Sequence, residues 1–446
     1  MSKLTAICAL LLLGVLTGSA HGQSAVLSET TWGGFGSDTP NGVAVAVDGS
    51  SYVTGITDSF TTDQFGTPSP KIFLVKFTAT GSVAWQRFWN GDTVRGLGGP
   101  AVALDAGTLP GDASDDSIYI TGVTTAGSND AVLLKFDAGG SLLWERTWGG
   151  LNLDVGNAVA TSPGSVYIAG HTTSFGASGA GLFVVKFDAF GALVWQKVWD
   201  GSAGFEAITV APDGSVYAAG TTARDASFAF FDLVALKITA TGDLTWQREY
   251  AAGDDADPRG GMTVASDGSI YIAGALQAPK MGFVPITALI VRLSAAGALL
   301  FDAQWGRSGT EAAAGIAAAP DGSVYFTGTT GGAGAGGQDA FVVHLLPSGK
   351  VPGAATWGGT GFDEGGGIAL AADGSVRLAA IAQAPPYSLL AATKRMSNVK
   401  GTIAAGTAAF GDASGTVTAP ANGTTTPGGS TMFAGSFDAA LVSLAP

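Results

Sequence analysis

Six acidic residues recur at a near-fixed distance behind an aromatic one. Asp38, Asp154, Glu311 and Asp363 each lie six residues past Trp32, Trp148, Trp305 and Trp357, while Glu206 and Asp257 lie seven past Trp199 and Tyr250. Brought to one place, such carboxylates supply the oxygen ligands that calcium requires, or a counter-charge for a cationic ligand. Left in separate turns, each would instead cap its own loop by accepting backbone N–H bonds. His171 is the one histidine that stands out. It follows a strand glycine where other units carry Ile56, Val123, Thr221 or Ala275, whereas His344 occupies a slot filled elsewhere by Lys76, Lys135, Lys186, Lys237, Arg292 and Arg395. That basic slot is expected to form a local ion pair or polar ladder with a nearby aspartate. No G-x-S-x-G elbow, H-E-x-x-H helix or phosphate loop is present. The seven residues Asp38, Asp154, His171, Glu206, Asp257, Glu311 and Asp363 are therefore the expected ligand-binding set, and none is assigned a catalytic role.

The elements that position them come from a repeat. Trp32, Trp89, Trp148, Trp199, Tyr250, Trp305, Trp357 and Phe410 are separated by 57, 59, 51, 51, 55, 52 and 53 residues. A period of that size marks supersecondary units that bury their faces only against each other. Within one unit, short apolar runs alternate with turn residues: Asn157–Thr161, Ser165–Gly170, Leu182–Phe187 and Leu193–Trp199 read as four strands. Asp-Gly at 48–49, 213–214, 267–268, 321–322 and 373–374 supplies the positive φ of tight hairpins. Four antiparallel strands per repeat describe an all-β propeller, with the small strand near the axis and paired aromatics such as Trp85/Trp89 on the outer strand, wedged between blades.

Aligning the tail on the repeat gives an expectation of eight blades, with seven as the alternative. In that alignment Gly401–Phe410 matches an outer strand, Met432–Gly435 a second strand and Asp438–Val442 a third. The missing outer strand is then Ala25–Trp32, which resembles Ser141–Trp148, and its pairing with the last blade closes the ring.

Composition narrows the function classes. Charged residues make up 13% of the chain, apolar ones 46%, and the net charge is −14 with no basic cluster, which argues against a nucleic-acid partner. Lys3, the apolar run Leu4–Leu16 and Gly18-Ser19-Ala20 form an export leader over residues 1–22, leaving a single propeller domain from 23 to 446 with no membrane-spanning segment. Cys8, the only cysteine, falls in that leader. A periplasmic, cell-surface or secreted protein follows.

Trp148-Gly149-Gly150, Asp321-Gly322-Ser323-Val324-Tyr325 and Asp130-Ala131-Val132-Leu133-Leu134-Lys135-Phe136-Asp137 resemble the bacterial SBBP repeat, named for seven-bladed β-propellers. The resemblance spans essentially the whole chain after the leader and implies an exported bacterial propeller, but no particular reaction. Thr80–Trp85 and Thr241–Trp246 resemble the tryptophan-docking turns of eight-bladed quinoprotein propellers, whose members include calcium- and quinone-dependent dehydrogenases and non-catalytic scaffolds. The chain lacks the vicinal cysteines of many of those enzymes. The expectation is a non-catalytic binding or scaffold propeller presenting a loop-lined face to a protein or glycan, with no cofactor apart from a possible calcium ion. The alternative is a propeller enzyme, a quinoprotein-like oxidoreductase or a lyase or hydrolase.

Overall fold

The computed structural model describes residues 13–14 and 25–444, apart from 61–68, 94–98, 109–110, 126–127, 177–180, 201–204, 225–230, 278–285, 307–309, 332–333, 335, 384–387, 392–395, 398, 406–409, 415, 419–424 and 428–437. Among the described residues, no helix is long and apolar enough to cross a membrane.

Apolar runs of six to nine residues joined by Asp-Gly and Gly turns fold into antiparallel sheets arranged as a propeller. Six blades are each cut from one continuous stretch of chain, beginning with the inner strands Asp38–Val45, Ala101–Asp105, Asp154–Ser162, Phe205–Val210, Asp255–Asp257 with Met262–Val264, and Glu311–Ala318. We number them 1 to 6 in that order. A seventh sheet is assembled from distant parts of the chain in the order Glu364–Leu370, Val376–Ala382, Asp438–Leu444 and Ala25–Trp32. Each inner strand touches those of both neighbours, so the ring is closed. Ala25–Trp32 pairs antiparallel with Asp438–Leu444, Val26 opposite Leu444 and Trp32 opposite Ala439. The two-residue strand Leu13–Gly14 lies beside Ala25–Val26.

The eight-blade expectation is corrected by these sheets. Asp438–Leu444 does serve as a third strand, but for the sheet that begins at Glu364. Thr402–Ala405 and Phe410–Asp412, expected to belong to a further outer strand, pair instead with blades 4 and 3. Met432–Gly435 and Arg395 fall outside the described residues. The physical reason lies in strand length. A blade needs hairpin-linked strands long enough to span the sheet, and the described strands between 388 and 427 are only two to four residues long.

The outer strands carry the contacts between blades. The second aromatic of five of them donates to an acceptor on the next: Trp32 Nε1 to Gln86 at 2.5 Å, Trp89 to Glu145 at 2.9 Å, Trp148 to Gln196 at 2.6 Å, Trp199 to Gln247 at 2.7 Å, and the Tyr250 hydroxyl to Asp302 at 2.8 Å. Trp357 continues the series by hydrogen bonding to Glu29 of the seventh sheet. The first aromatic docks on the next blade's hairpin turn, as in Trp85 Nε1 to Ala138 O at 3.2 Å and Trp195 Nε1 to Ala240 O at 3.1 Å. These indoles fill the wedge between sheets. The basic slot also looks outward to its neighbours. Lys135 sits 5.2 Å from the centre of the Tyr119 ring and donates to Ala189 O of the next blade at 3.0 Å, and His344 stacks on Tyr325 at 4.3 Å. Cation–π stacking on the second-strand tyrosine is what these positions share, and in blade 5 the expected local ion pair is present as well, Arg292 meeting Asp267 at 2.6 Å.

Candidate ligand-binding cavity

Near the axis the strands must converge, and Ala, Gly and Val dominate there because larger side chains would collide. Several inner strands carry one extra residue that has no partner across the ladder: Asn41 between Pro40 and Gly42, Asn157 between Gly156 and Ala158, Glu206 between Phe205 and Ala207, Ala314 between Ala313 and Gly315, and Gly366 between Gly365 and Gly367. A bulge bends the strand and re-aims one side chain. All five bulged residues line a central cavity of about 1430 Å³. Ile56, His171, Thr221, Ala275 and Thr329, each following a second-strand glycine, line it as well.

The cavity is not uniform. Its charged and imidazole groups are His171 on blade 3, Glu206 on blade 4, Asp255, Asp257 and Arg259 on blade 5, and Glu364 on the seventh sheet. Five of these six lie on three consecutive blades. Arg259 Nε meets Asp257 Oδ2 at 2.5 Å, and Asp255 Oδ1 accepts the backbone N–H of Phe231 at 2.8 Å. Burial pushes the Glu206 carboxyl up to about 7, with the charge of Asp257 adding to the rise and Arg259 opposing it. Asp257 holds the Arg259 guanidinium above its ordinary range. Burial lowers the His171 imidazole, against a smaller opposing effect of Asp154, so this ring is neutral at pH 7. Burial also raises Glu364. Near neutral pH the cavity thus offers a carboxyl able to donate or accept a proton, an ion pair beside it and a neutral imidazole.

Of the expected ligand-binding set, the structure brings His171, Glu206 and Asp257 to the cavity. It places Asp38, Asp154, Glu311 and Asp363 elsewhere, fully buried where the loops enter the inner strands, the first three as the opening residue of the strand and Asp363 just before it. Asp38 accepts from Gly34 N at 2.9 Å, Ser59 Oγ at 2.5 Å and Thr57 Oγ1. Asp154 repeats that pattern with Gly150 N at 2.8 Å, Ser174 Oγ at 2.7 Å and Thr172 Oγ1. Asp363 accepts from Gly359 N and Gln383 N, both at 2.7 Å, and Glu311 from Thr330 Oγ1 at 3.2 Å. These carboxylates tie a loop to the next hairpin. Among the described residues no group of three or more His, Cys, Asp or Glu side chains is arranged to hold a metal ion.

Glu206 is set apart from the buried acids by its offset, seven residues past its aromatic rather than six. In the fold its counterparts are Asn41, Asn157, Ala314 and Gly366, each three residues beyond the buried acid of its own blade. Sequence reasoning missed Arg259, Asp255 and Glu364. The available signal was an arginine inside an inner-strand segment, where the inner strands of the other units carry no Lys or Arg.

No protein-family model matches the chain, and no curated protein matches it. Solved structures give distant likenesses. A protein of unknown function from Bacteroides caccae is 14% identical, with a TM-score of 0.35 over 58% of this chain and 82% of that one. A puromycin hydrolase mutant is 16% identical, with a TM-score of 0.43 over 82% of this chain and 54% of that one. A family 32 glycoside hydrolase from Bifidobacterium adolescentis is 11% identical, with a TM-score of 0.31 over 92% of this chain and 80% of that one. At such scores these proteins carry no inference about activity, and the β-propeller of four-stranded antiparallel blades stands on the sheets themselves.

Proposed function

We propose that this protein is an exported, non-catalytic binding propeller that takes a polar group of a glycan or of a protein segment into its axial cavity. One observation carries the reading. The side chains that break the repeat are gathered where the blades converge, five of the six charged or imidazole groups on blades 3 to 5, while the frame around them stays repetitive. Glu206, Asp255, Asp257 and Glu364 offer acceptor oxygens suited to hydroxyl or ammonium donors, and Arg259 orients Asp257. The test is calorimetric titration with a panel of neutral oligosaccharides and amine-bearing peptides, with calcium as a separate arm. A ligand of this site loses at least tenfold in affinity in Glu206→Gln. Binding that is indifferent to Glu206→Gln and to Asp257→Asn would move the site off the axis.

A second reading, a hydrolase or lyase, is favoured by one feature. A carboxyl poised near pH 7 beside a charged neighbour suits general-acid catalysis. Glu206 would then donate the proton. Turnover of a chromogenic glycoside or an unsaturated product from a polyuronate, abolished by Glu206→Gln, would establish it in place of pure binding.

A further inference from the structure

The segment between the second and third strands of the seventh sheet runs once around the outside of the ring. Its short strands pair in turn with the outer strands of blades 6, 5, 4, 3, 2 and 1, and the chain then returns to the seventh sheet as Asp438–Leu444. The register is the same at every stop. Leu389 lies opposite Trp357, Met396 opposite Trp305, Ile403 opposite Tyr250, Phe410 opposite Trp199, Val417 opposite Trp148 and Thr425 opposite Trp89. The steps are seven residues four times and then eight. Seven extended residues reach about 23 Å, one step per blade.

Side chains follow the same beat. Met396, Ile403, Phe410 and Val417 are half-buried and pack against four different hydrophobic clusters of the ring, while Ser397, Thr402, Ala404 and Gly411 face outward. The Asp302 carboxylate, buried in blade 5, accepts from Lys400 N at 3.2 Å and from Gly401 N as well as from Tyr250. Lys197 pairs with Asp412 at 2.5 Å. Each stop is small, and a crevice of about 460 Å³ remains between Phe410 and blade 3, bordered by Phe175 and Val198. Many weak stops on one tether hold tightly together and release together.

We propose that the six short strands described between Ser388 and Pro427 form a strap that closes the ring's outer wall, and that this wall is a homotypic pairing surface for the same strands of a second copy once the strap is released. Without the strap, six long outer strands present unpaired N–H and C=O groups, the usual template for strand addition between molecules. The best-fitting sequence for those edges, by register and by apolar spacing, is the one this chain already carries, which is the condition for exchange of an identical element between copies.

The test uses the full chain. Ile403→Asp combined with Phe410→Asp removes two inward side chains, and Ala404→Asp, on the outward side, is the control. The double variant is expected to be cut by trypsin after Lys400 at least tenfold faster than wild type or control. Alone it is expected to stay monomeric, because the segment of every copy carries both carboxylates, and in light scattering it is expected to bind added wild-type peptide 388–427 but not the same peptide with both Asp substitutions. A strap that is released while the double variant binds no wild-type peptide 388–427, or that binds the Asp-bearing peptide equally well, would overturn the proposal. Should the double variant fail to fold, hydrogen exchange on the unmutated chain decides. The six strap strands should open as one unit before the blades do, whereas opening stop by stop, or only with global unfolding, would overturn it.

Discussion

The rim and the axis of this ring follow opposite rules. At the rim the blades repeat one another: in blades 1 to 4 and 6 an aromatic donates to a Gln, Glu or Asp of its neighbour, a basic or imidazole side chain covers a tyrosine, and a strap meets each outer strand in one register. At the axis the equivalent bulged positions hold Asn41, Asn157, Glu206, Ala314 and Gly366, which range from amide to carboxyl to no side chain at all. Repetition marks what holds the ring together, because the same interface must form at every step around the ring. Departure from it marks where one ligand would be distinguished from another. Substitutions at the two places should therefore differ sharply in cost.

The largest effect is expected at the rim. Trp199 is fully buried between blades, packs with Phe410 of the strap and donates to Gln247. Trp199→Ala should cost about 4 kcal/mol of unfolding free energy, from the cavity and from the Gln247 oxygen left without its donor. Urea denaturation followed by circular dichroism measures it. A cost below about 1 kcal/mol would mean that the wedge between blades is not where stability resides.

The buried turn carboxylates come next and sharpen the contrast, since they share their residue type with the cavity. Asp154→Ala strips the acceptor from Gly150 N, Ser174 Oγ and Thr172 Oγ1 at once. About 3 kcal/mol should be lost, because hydrogen bonds to charge are the stronger kind and the stranded donors stay buried. Glu206→Gln, a change of acid in the adjacent blade, should leave stability at pH 5 within about 0.5 kcal/mol. Equal losses in the same denaturation series would erase the distinction between turn acid and cavity acid.

Much of the rim was legible in the sequence, and less of the axis. Asp-Gly pairs announced hairpins, and the glycines at 49, 214, 268, 322 and 374 indeed have φ between 77 and 83°. Resemblance of Ala25–Trp32 to an outer strand pointed to the strand beside Asp438–Leu444, because strands with the same job bury the same face. The strap escaped because its period is seven, hidden beneath a search tuned to about fifty, and because Gly, Ala and Thr tolerate a slipped alignment to almost any strand. Glu206 was misgrouped for a related reason. Counting from the tryptophan sees an offset of one residue, whereas the ladder sees a different kind of position. Backbone bulges have no residue signature of their own, so the axis becomes legible only when partners across the sheet are known.

Stability against pH separates the cavity from the frame with a smaller effect. An unfolded glutamate titrates near 4.5, and the folded Glu206 is pushed up to about 7. The fold therefore keeps a proton that the unfolded chain gives up. Its favourable contribution is complete below about pH 4.5, falls as pH rises to about 7, and is absent above that. Asp363, raised to about 6 chiefly by burial despite two backbone donors, works in the same direction and stays in any Glu206 variant. Glu206→Gln should thus match wild type at pH 4 and exceed it at pH 8 by about 1–2 kcal/mol, leaving a shallower slope between. Parallel curves at all pH values would show that Glu206 is solvated and that the cavity carries no strained acid.

The smallest expected effect comes from His171, whose sign is opposite. Burial lowers its folded pKa, so the fold prefers the neutral ring. This preference is fully expressed above about pH 6.5, where the unfolded imidazole is also neutral, and is lost as pH falls through the lowered folded value. His171→Gln should therefore remove a loss of stability on the acid side, by less than about 1 kcal/mol, and leave pH 8 unchanged. The two cavity variants then bend the pH profile from opposite ends, His171 below pH 6.5 and Glu206 above pH 4.5. A His171→Gln curve that differs from wild type chiefly above pH 7 would mean that the ring interacts as a packing group and not as a titrating one, and the axis would keep Glu206, Asp257 and Arg259 as its distinguishing groups.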